Sequence, residues 1–382
     1  MPTEIHGFCD EQFLPFKDAF RANFDAGLEL GASLAVTHRG KMVVDLWGGF
    51  ADRKQTRPWQ QDTVVCVFST TKIMAAFALL ILVDRKCIEL DTPVANYWPE
   101  FAQGGKGSVT VRDILTYRAG VPGFVPALPF EALHDWSSAV TNIEAQTHWF
   151  DGRRAVCYHP QTYGFLIGEL IRRVDGRPFA KFFHDEIAKR VGADFQVGLS
   201  SKTDIERVAG LRWPTTTLDF AADSLQGRVW YSVGQPEPSG YYTWEHLSAD
   251  LPASNGYGNG RSIARICSIM AMRGKLEGQV YLSEKVVEQA AQEQVYAEDP
   301  FMGMIRLGLG FGLHSREFPA PTATSFHWGG FGGSWGVMDP TTGISLGYAP
   351  NNLIVDFTED KYCLGTRLNR FAIALEKLSL TL

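Results

Sequence analysis

The chain has 382 residues, of which 45% are hydrophobic, 12% aromatic and 20% charged. That composition buries a large core without disulfide staples and excludes global disorder. Thirty-six Lys and Arg against 42 Asp and Glu leave a formal charge of −6, so no basic nucleic-acid face is implied. Residues 11–29 place Phe13, Phe16, Phe20, Phe24 and Leu28 at helical spacing, which predicts an amphipathic helix. Ser33 to Val36, a turn at Arg39-Gly40-Lys41, and Met42 to Trp47 predict a hairpin. Val64 to Phe68 is short and apolar. It leads into residues 69–85, which predict a helix buried on every side.

From 88 to 215 the chain reads as helices joined by Pro/Gly loops. Phe165–Val174 and Phe179–Val191 are the clearest, with a turn at Asp175-Gly176-Arg177-Pro178. Residues 234–260 are rich in Gly, Pro, Ser and aromatics and predict a long surface loop. Helices are predicted next at 261–273 and 283–294, the second with Ser283 as N-cap. After Met304 come Gly-punctuated strands at Leu307–Leu313, Thr324–His327, Trp335–Met338 and Ile344–Tyr348, and a last helix over 365–378.

Strands at both ends with helices between predict an α+β fold. One antiparallel sheet is built from 1–85 and 216–382 and covered by the terminal helices. A mainly helical domain, 86–215, is inserted, and the cleft between the two is the expected site. Cys9, Cys66, Cys87, Cys157, Cys267 and Cys363 are scattered, so buried thiols in a reducing compartment are expected. The nine histidines form no paired ligand spacing, and no P-loop or dinucleotide fingerprint occurs. No metal and no cofactor are expected. The first residues lack the apolar stretch of a signal peptide and no run reaches membrane length, so a cytoplasmic chain with no membrane partner is expected.

Ser69-Thr70-Thr71-Lys72 opens the buried helix and is the one Ser-x-x-Lys in the chain. Positions i and i+3 share a helix face. A serine hydroxyl needs an adjacent base to attack at neutral pH. A lysine is that base when burial and nearby positive charge hold it neutral. The positive end of the helix adds to this and offers N–H groups to an oxyanion. Against this stands the ordinary use of serine as an N-cap. Tyr158 stands just before the helix at 163, either as a phenolate or proton shuttle beside a lysine or as a packed aromatic. His327-Trp328-Gly329-Gly330-Phe331-Gly332-Gly333 lies among the late strands. Its glycines either let a substrate lie along a strand edge or mark a twisted, bulged strand.

These three segments, in this order and spacing, resemble the serine β-lactamase and penicillin-recognising superfamily, and within its class C-like branch the family VIII carboxylesterases. Residues 40–52, 62–72, 119–122 and 158–176 look like that branch too, so the resemblance covers nearly the whole chain. It implies a β-lactamase-like fold with Ser69 as acylated nucleophile, Lys72 as base and Tyr158 as proton-transfer partner. It implies an oxyanion hole of the Ser69 and Phe331 N–H groups, and substrate contacts at His327, Trp328, Gly329 and Gly330. Two positions depart from the β-lactamase pattern. Pro160 stands where an asparagine is usual, and Trp328 where a lysine would pair with the β-lactam carboxylate.

Gly332 to Gly336 and Gly343 to Gly347 each satisfy Gly-x-Ser-x-Gly, with Ser334 and Ser345 at the centre. Neither leads into a convincing helix, and no histidine occurs after His327, so a nucleophile elbow is not expected. Tyr241, Tyr242, Trp244 and Tyr257 either wall an apolar pocket or anchor the loop. The expected activity is hydrolysis of small-molecule carboxylic esters through an acyl-enzyme, with short to medium acyl chains. Amide or β-lactam hydrolysis, acyl transfer, and a non-catalytic scaffold on the same fold are the alternatives.

Overall fold

The structure, a computed structural model, describes residues 3–215, 218–355 and 365–379, with Ser379 by its backbone only. Nine strands form one antiparallel sheet. The first part of the chain supplies β1 (Ile5–Cys9), β2 (Gly31–His38) and β3 (Lys41–Gly49). The last part supplies β4 (Val295–Asp299), β5 (Gly303–Leu307), β6 (Gly312–Leu313), β7 (Phe326–Gly329), β8 (Trp335–Asp339) and β9 (Ile344–Pro350). The order across the sheet is β1-β3-β2-β9-β8-β7-β6-β5-β4. The two ends of the chain therefore meet where β2 pairs with β9, Ala35 opposite Gly347.

Five of the helices position the site: α1 (Leu14–Asp25), α2 (Thr71–Asp84), α3 (Thr162–Asp175), α4 (Gly260–Ala271) and α5 (Gly365–Ser379). Alternation along each strand sorts side chains between two layers. On β8, Trp335 and Val337 enter a core with Phe16 and Phe20 of α1 and Phe371 and Leu375 of α5, while Met338 enters the larger core on the other face. That second face is covered by α4 and by the start of α2. An added Cβ on Gly347 would overlap the Gly260 carbonyl, so glycine here is what lets α4 lie on the sheet. Every residue from Thr71 to Leu82 is buried, because α2 runs between the sheet and α3. Such a helix carries no polar face.

The architecture is the expected antiparallel sheet with terminal helices and a helical segment between. A small sheet crosses the division anticipated in the sequence: Val65–Cys66 pairs with Gly256–Gly258, which pairs with Gln196–Val197. The anticipated boundary after residue 215 meets residues 216 and 217, outside the described residues, as is Cys363.

Several local expectations need correction. Strand β1 is absent from the sequence reading; its exposed middle gives little alternation to read. The span 307–313 is two short strands broken at 308–311, and the β4–β5 hairpin precedes it. The first helix ends at Asp25 and the helix after Ser283 at Ala291. Residues 179–191 are helical but pass through a π turn at His184–Ala188. The stretch 234–260 is not simply a surface loop: it holds a helix at Trp244–Leu247, and residues 251–253 and 255–259 are buried. Cys87 is exposed, not buried. No helix of the described residues is long and apolar enough to cross a membrane.

Candidate active site

Ser69 is not an N-cap. It sits in a 3-10 turn, Phe68–Thr70, just ahead of α2. Phe68 has φ +45, a conformation a phenylalanine adopts only when its surroundings impose it. Val67 donates to the Gly256 carbonyl at 2.8 Å, and its own carbonyl accepts from Ser334 Oγ at 2.6 Å. Thr70 Oγ1 is 2.8 Å from the same Ser334 hydroxyl. The Phe68 ring lies against Trp213, Tyr241 and Phe331. Strand, hydroxyl and aromatic contacts together fix the turn and leave Ser69 half-buried.

Lys72 comes one turn later and is fully buried. Its Nζ lies 3.1 Å from Ser69 Oγ, 2.8 Å from the Pro160 carbonyl oxygen and 2.9 Å from that of Ala253. Burial is what holds its pKa well below the ordinary lysine value, with no neighbouring cation contributing. The nitrogen also lies 4.9 Å from the centre of the Tyr158 ring, an attraction that favours the cation and acts against burial. Loss of hydration from a point charge is the larger effect.

Tyr158 donates its hydroxyl to Ser69 Oγ at 2.6 Å. Burial pushes its pKa well up, with its hydrogen bonds with Ser69 and Trp328 opposing. That direction favours the neutral phenol over the phenolate. Its backbone N–H donates to buried Asp299, which also accepts from the N–H groups of Phe301 and Met302 at 2.8 and 3.0 Å. Asp299 thus ties the Tyr158 loop to the β4–β5 hairpin. Burial raises its pKa, and the three N–H bonds act against that. Tyr117, with φ +56, packs edge-on against Tyr158, and its carbonyl accepts from Cys157 N–H at 3.0 Å.

The end of β7 comes to the Ser69 turn by backbone. An added Cβ on Gly330 would overlap the Val67 carbonyl and the Ser334 hydroxyl and stand 3.1 Å from Thr70 N. Phe331 is next, half-buried, its ring 5.7 Å from that of Phe68. Gly329 is open, with nothing nearer than 3.5 Å to an added Cβ. Trp328 is only 3% exposed and packs on Tyr117 and Tyr158, so it acts on the site through Tyr158 rather than as an open wall.

His327 is not brought to the site. Adjacent strand residues face opposite ways, and its ring accepts from Trp335 Nε1 at 3.1 Å in the terminal-helix layer. Burial lowers its pKa to about 3. His159 is likewise buried at about 3, its Nδ1 2.6 Å from the Cys157 carbonyl. Ser334 and Ser345 are both buried in strand contacts, Ser345 Oγ donating to the Ala264 carbonyl at 2.7 Å. Neither is a nucleophile elbow. Of the loop aromatics, Tyr241 walls the site, Tyr257 is buried with its hydroxyl on Asn255, and Trp244 lies beneath Lys202. Asp299, Tyr117, Trp213 and the Ala253 carbonyl escape the sequence reading. Asp299-Pro300 carries a turn signal, and the others carry none. Among the described residues no three His, Cys, Asp or Glu side chains converge on a metal position.

A serine, a buried lysine and a tyrosine converging where α2 begins define a class of penicillin-recognising serine folds. The chain belongs to the Beta-lactamase family, whose family model matches residues 20–362. It is 29% identical over 364 residues to the esterase/beta-lactamase LipL of Mycobacterium tuberculosis, covering 92% of this chain and 83% of that protein. It is 25% identical to the esterase EstB of Burkholderia gladioli, covering 85% and 88%. Among solved structures, a family VIII carboxylesterase superposes with a TM-score of 0.90 at 33% identity, covering 98% of this chain and all (100%) of that one. A penicillin-binding protein homologue from Caulobacter crescentus gives 0.87 at 33% identity, with 99% and 100% coverage.

Proposed function

We propose that this protein hydrolyses carboxylic esters of small molecules through a covalent acyl-enzyme on Ser69. The observation that carries the reading is the hydrogen-bonding of Lys72. A neutral amine has two N–H donors and one lone pair. The carbonyls of Pro160 and Ala253 take both donors. Nζ also reaches Ser69 Oγ at 3.1 Å, and in the neutral amine that third position is the lone pair, free to take the Ser69 proton.

Ser69 Oγ attacks the ester carbonyl as its proton passes to Lys72. The oxyanion is received by the N–H groups of Ser69 and Phe331. As the C–O bond to the alcohol breaks, the Tyr158 hydroxyl protonates the departing oxygen and Lys72 returns a proton to Tyr158. Water then attacks the acyl-enzyme by the same relay in reverse, giving the acid and free Ser69. The aromatic surround favours acyl groups that are apolar next to the carbonyl and of short to medium length. Names of the relatives, LipL and EstB among them, support an esterase. The absence of a cation at Trp328 argues against efficient β-lactam turnover, since nothing there pairs with the β-lactam carboxylate.

Initial rates on p-nitrophenyl acetate and butyrate at pH 8, wild type against folded Ser69→Ala, test the reading. Wild-type turnover with background rates in the variant is expected. Full activity in the variant refutes it, and no turnover by wild type moves the case to a scaffold or an amide hydrolase.

A further inference from the structure

Trp213 belongs to two surfaces. Its ring meets Phe68, Tyr241 and Phe331 beside Ser69, and it also lines a neighbouring groove of about 520 Å³. The groove floor is apolar, formed by Ile205, Val208, Leu211, Tyr242 and Leu247. One rim carries charge: Asp52, Arg53, Lys54 and Arg57. Two of these four are already engaged. Asp52 accepts from Thr56 N, Thr56 Oγ1 and Arg57 N at 2.9, 2.7 and 2.8 Å. The Arg57 guanidinium donates to the carbonyls of Ala51, Glu206 and Val208. Arg53 and Lys54 are exposed and, among the described residues, make no ion pair or side-chain hydrogen bond. An apolar floor under two unpaired cations is complementary to a chain with an anionic end.

The chemistry at Ser69 sets which part of a substrate reaches this groove. Tyr158 shares its ring contacts with Tyr117, Phe301 and Trp328, and none with Trp213. On the acyl-enzyme reading, on which this inference rests, Tyr158 protonates the departing alcohol. The alcohol thus leaves along the Tyr158 side, and the acyl group extends past Phe68 and Trp213.

We propose that the groove receives the far end of the acyl group, and that the preferred acyl chain is apolar along its length and carboxylate-terminated, as in a monoester of a dicarboxylic acid. Methylenes gain by leaving water over the apolar floor. The carboxylate meets Arg53 and Lys54 at the rim, where each exposed charge pair contributes modestly.

Three p-nitrophenyl esters test this: the butyrate, the octanoate and the monoester of octanedioic acid. The octanedioate is expected to exceed the octanoate in kcat/KM by about three- to tenfold at low salt. Arg53→Gln with Lys54→Gln is expected to abolish that ratio, and high salt to shrink it. Thermal melts establish that the double variant is folded. Equal turnover of octanoate and octanedioate by wild type, or a ratio that survives in the double variant, overturns the inference. The butyrate is too short for the groove and reports Ser69 alone. Ser69-dependent butyrate turnover alongside either negative result leaves ester hydrolysis standing. Failure of all three esters overturns both readings.

Discussion

Lys72 Nζ lies 3.1 Å from Ser69 Oγ, fully buried and without an ion pair among the described residues. A buried lysine with no carboxylate beside it is costly as a cation and inexpensive as an amine. The amine is the state a general base requires at neutral pH.

Ser69→Ala is expected to lower ester kcat by about three orders of magnitude or more, as for removal of a nucleophile elsewhere. Ser334→Ala is the control. Ser334 links Val67 and Thr70, so its loss is expected to cost about 1–3 kcal/mol of stability while ester turnover persists. Rates with p-nitrophenyl butyrate and urea unfolding curves separate the two. Abolished turnover in folded Ser334→Ala with activity retained in Ser69→Ala would reverse the assignment.

Tyr158→Phe keeps the ring that packs on Tyr117 and Trp328 and removes the hydroxyl donated to Ser69. A loss of about 100- to 10,000-fold in kcat with an unchanged melting curve is expected for a proton-transfer group. The loss should be smaller for phenyl esters, whose leaving groups need less protonation, than for alkyl esters. Equal losses on both would count against leaving-group protonation.

On the proposed mechanism the pH profile follows Lys72. Burial places its folded pKa well below the unfolded value. Between the two, the unfolded chain binds the proton and the folded chain does not, so this group's contribution to stability rises with pH across that window. Activity tracks the same deprotonation. On butyrate, kcat/KM is expected to climb with pH through the folded pKa and level off while still below the ordinary lysine range. His159 and His327, both near 3, stay neutral throughout and cannot supply that limb. A midpoint at the ordinary lysine value, or no ascending limb, would remove Lys72 as the base.

Asp299→Asn replaces an oxygen that accepts from Tyr158 N–H or its neighbours with an amide that donates. Two donors then face each other. A kcat lower by about tenfold with little change in KM is expected, and a stability loss of about 1–3 kcal/mol. Unchanged kcat in the folded variant would show that the hairpin does not hold Tyr158 in place.

Gly330→Ala and Gly329→Ala differ by one position and should differ sharply in outcome. At 330 the methyl overlaps the Val67 carbonyl, so β7 must move away from the nucleophile's turn and take Phe331 N–H with it. A loss of about 100-fold in kcat is expected, the scale of one oxyanion donor. At 329 the nearest atom is 3.5 Å away, and near-wild-type rates are expected. Matched effects at the two positions would argue against Phe331 as an oxyanion donor.

Much of the site is readable from local rules. Ser69 and Lys72 are one helical turn apart, and the unbroken apolar run behind them could only be a buried helix. The hairpin of β2 and β3 and the terminal helices come from period and turn chemistry alone. His327 shows a local rule left unused: neighbours on a strand face opposite sides, so His327 and Trp328 could not both face the substrate. Tyr158 and Phe331 need the family resemblance, because nothing near either residue marks it as catalytic.

What the sequence by itself determined is a serine and a lysine three residues apart and the buried helix behind them, since a spacing of three residues on a helix is a local fact. Only the tertiary structure decided what surrounds the pair. The acceptors that hold Lys72 are the carbonyls of Pro160 and Ala253, 88 and 181 residues away in the chain. Backbone carbonyls are common to every residue and leave no mark in a sequence. The buried Asp299 behind Tyr158 and the turn of Trp213 toward a charged groove likewise exist only once distant segments are packed together. Chemistry carried by side chains at short range is written in the residue order, whereas chemistry carried by main-chain atoms and burial arises from folding.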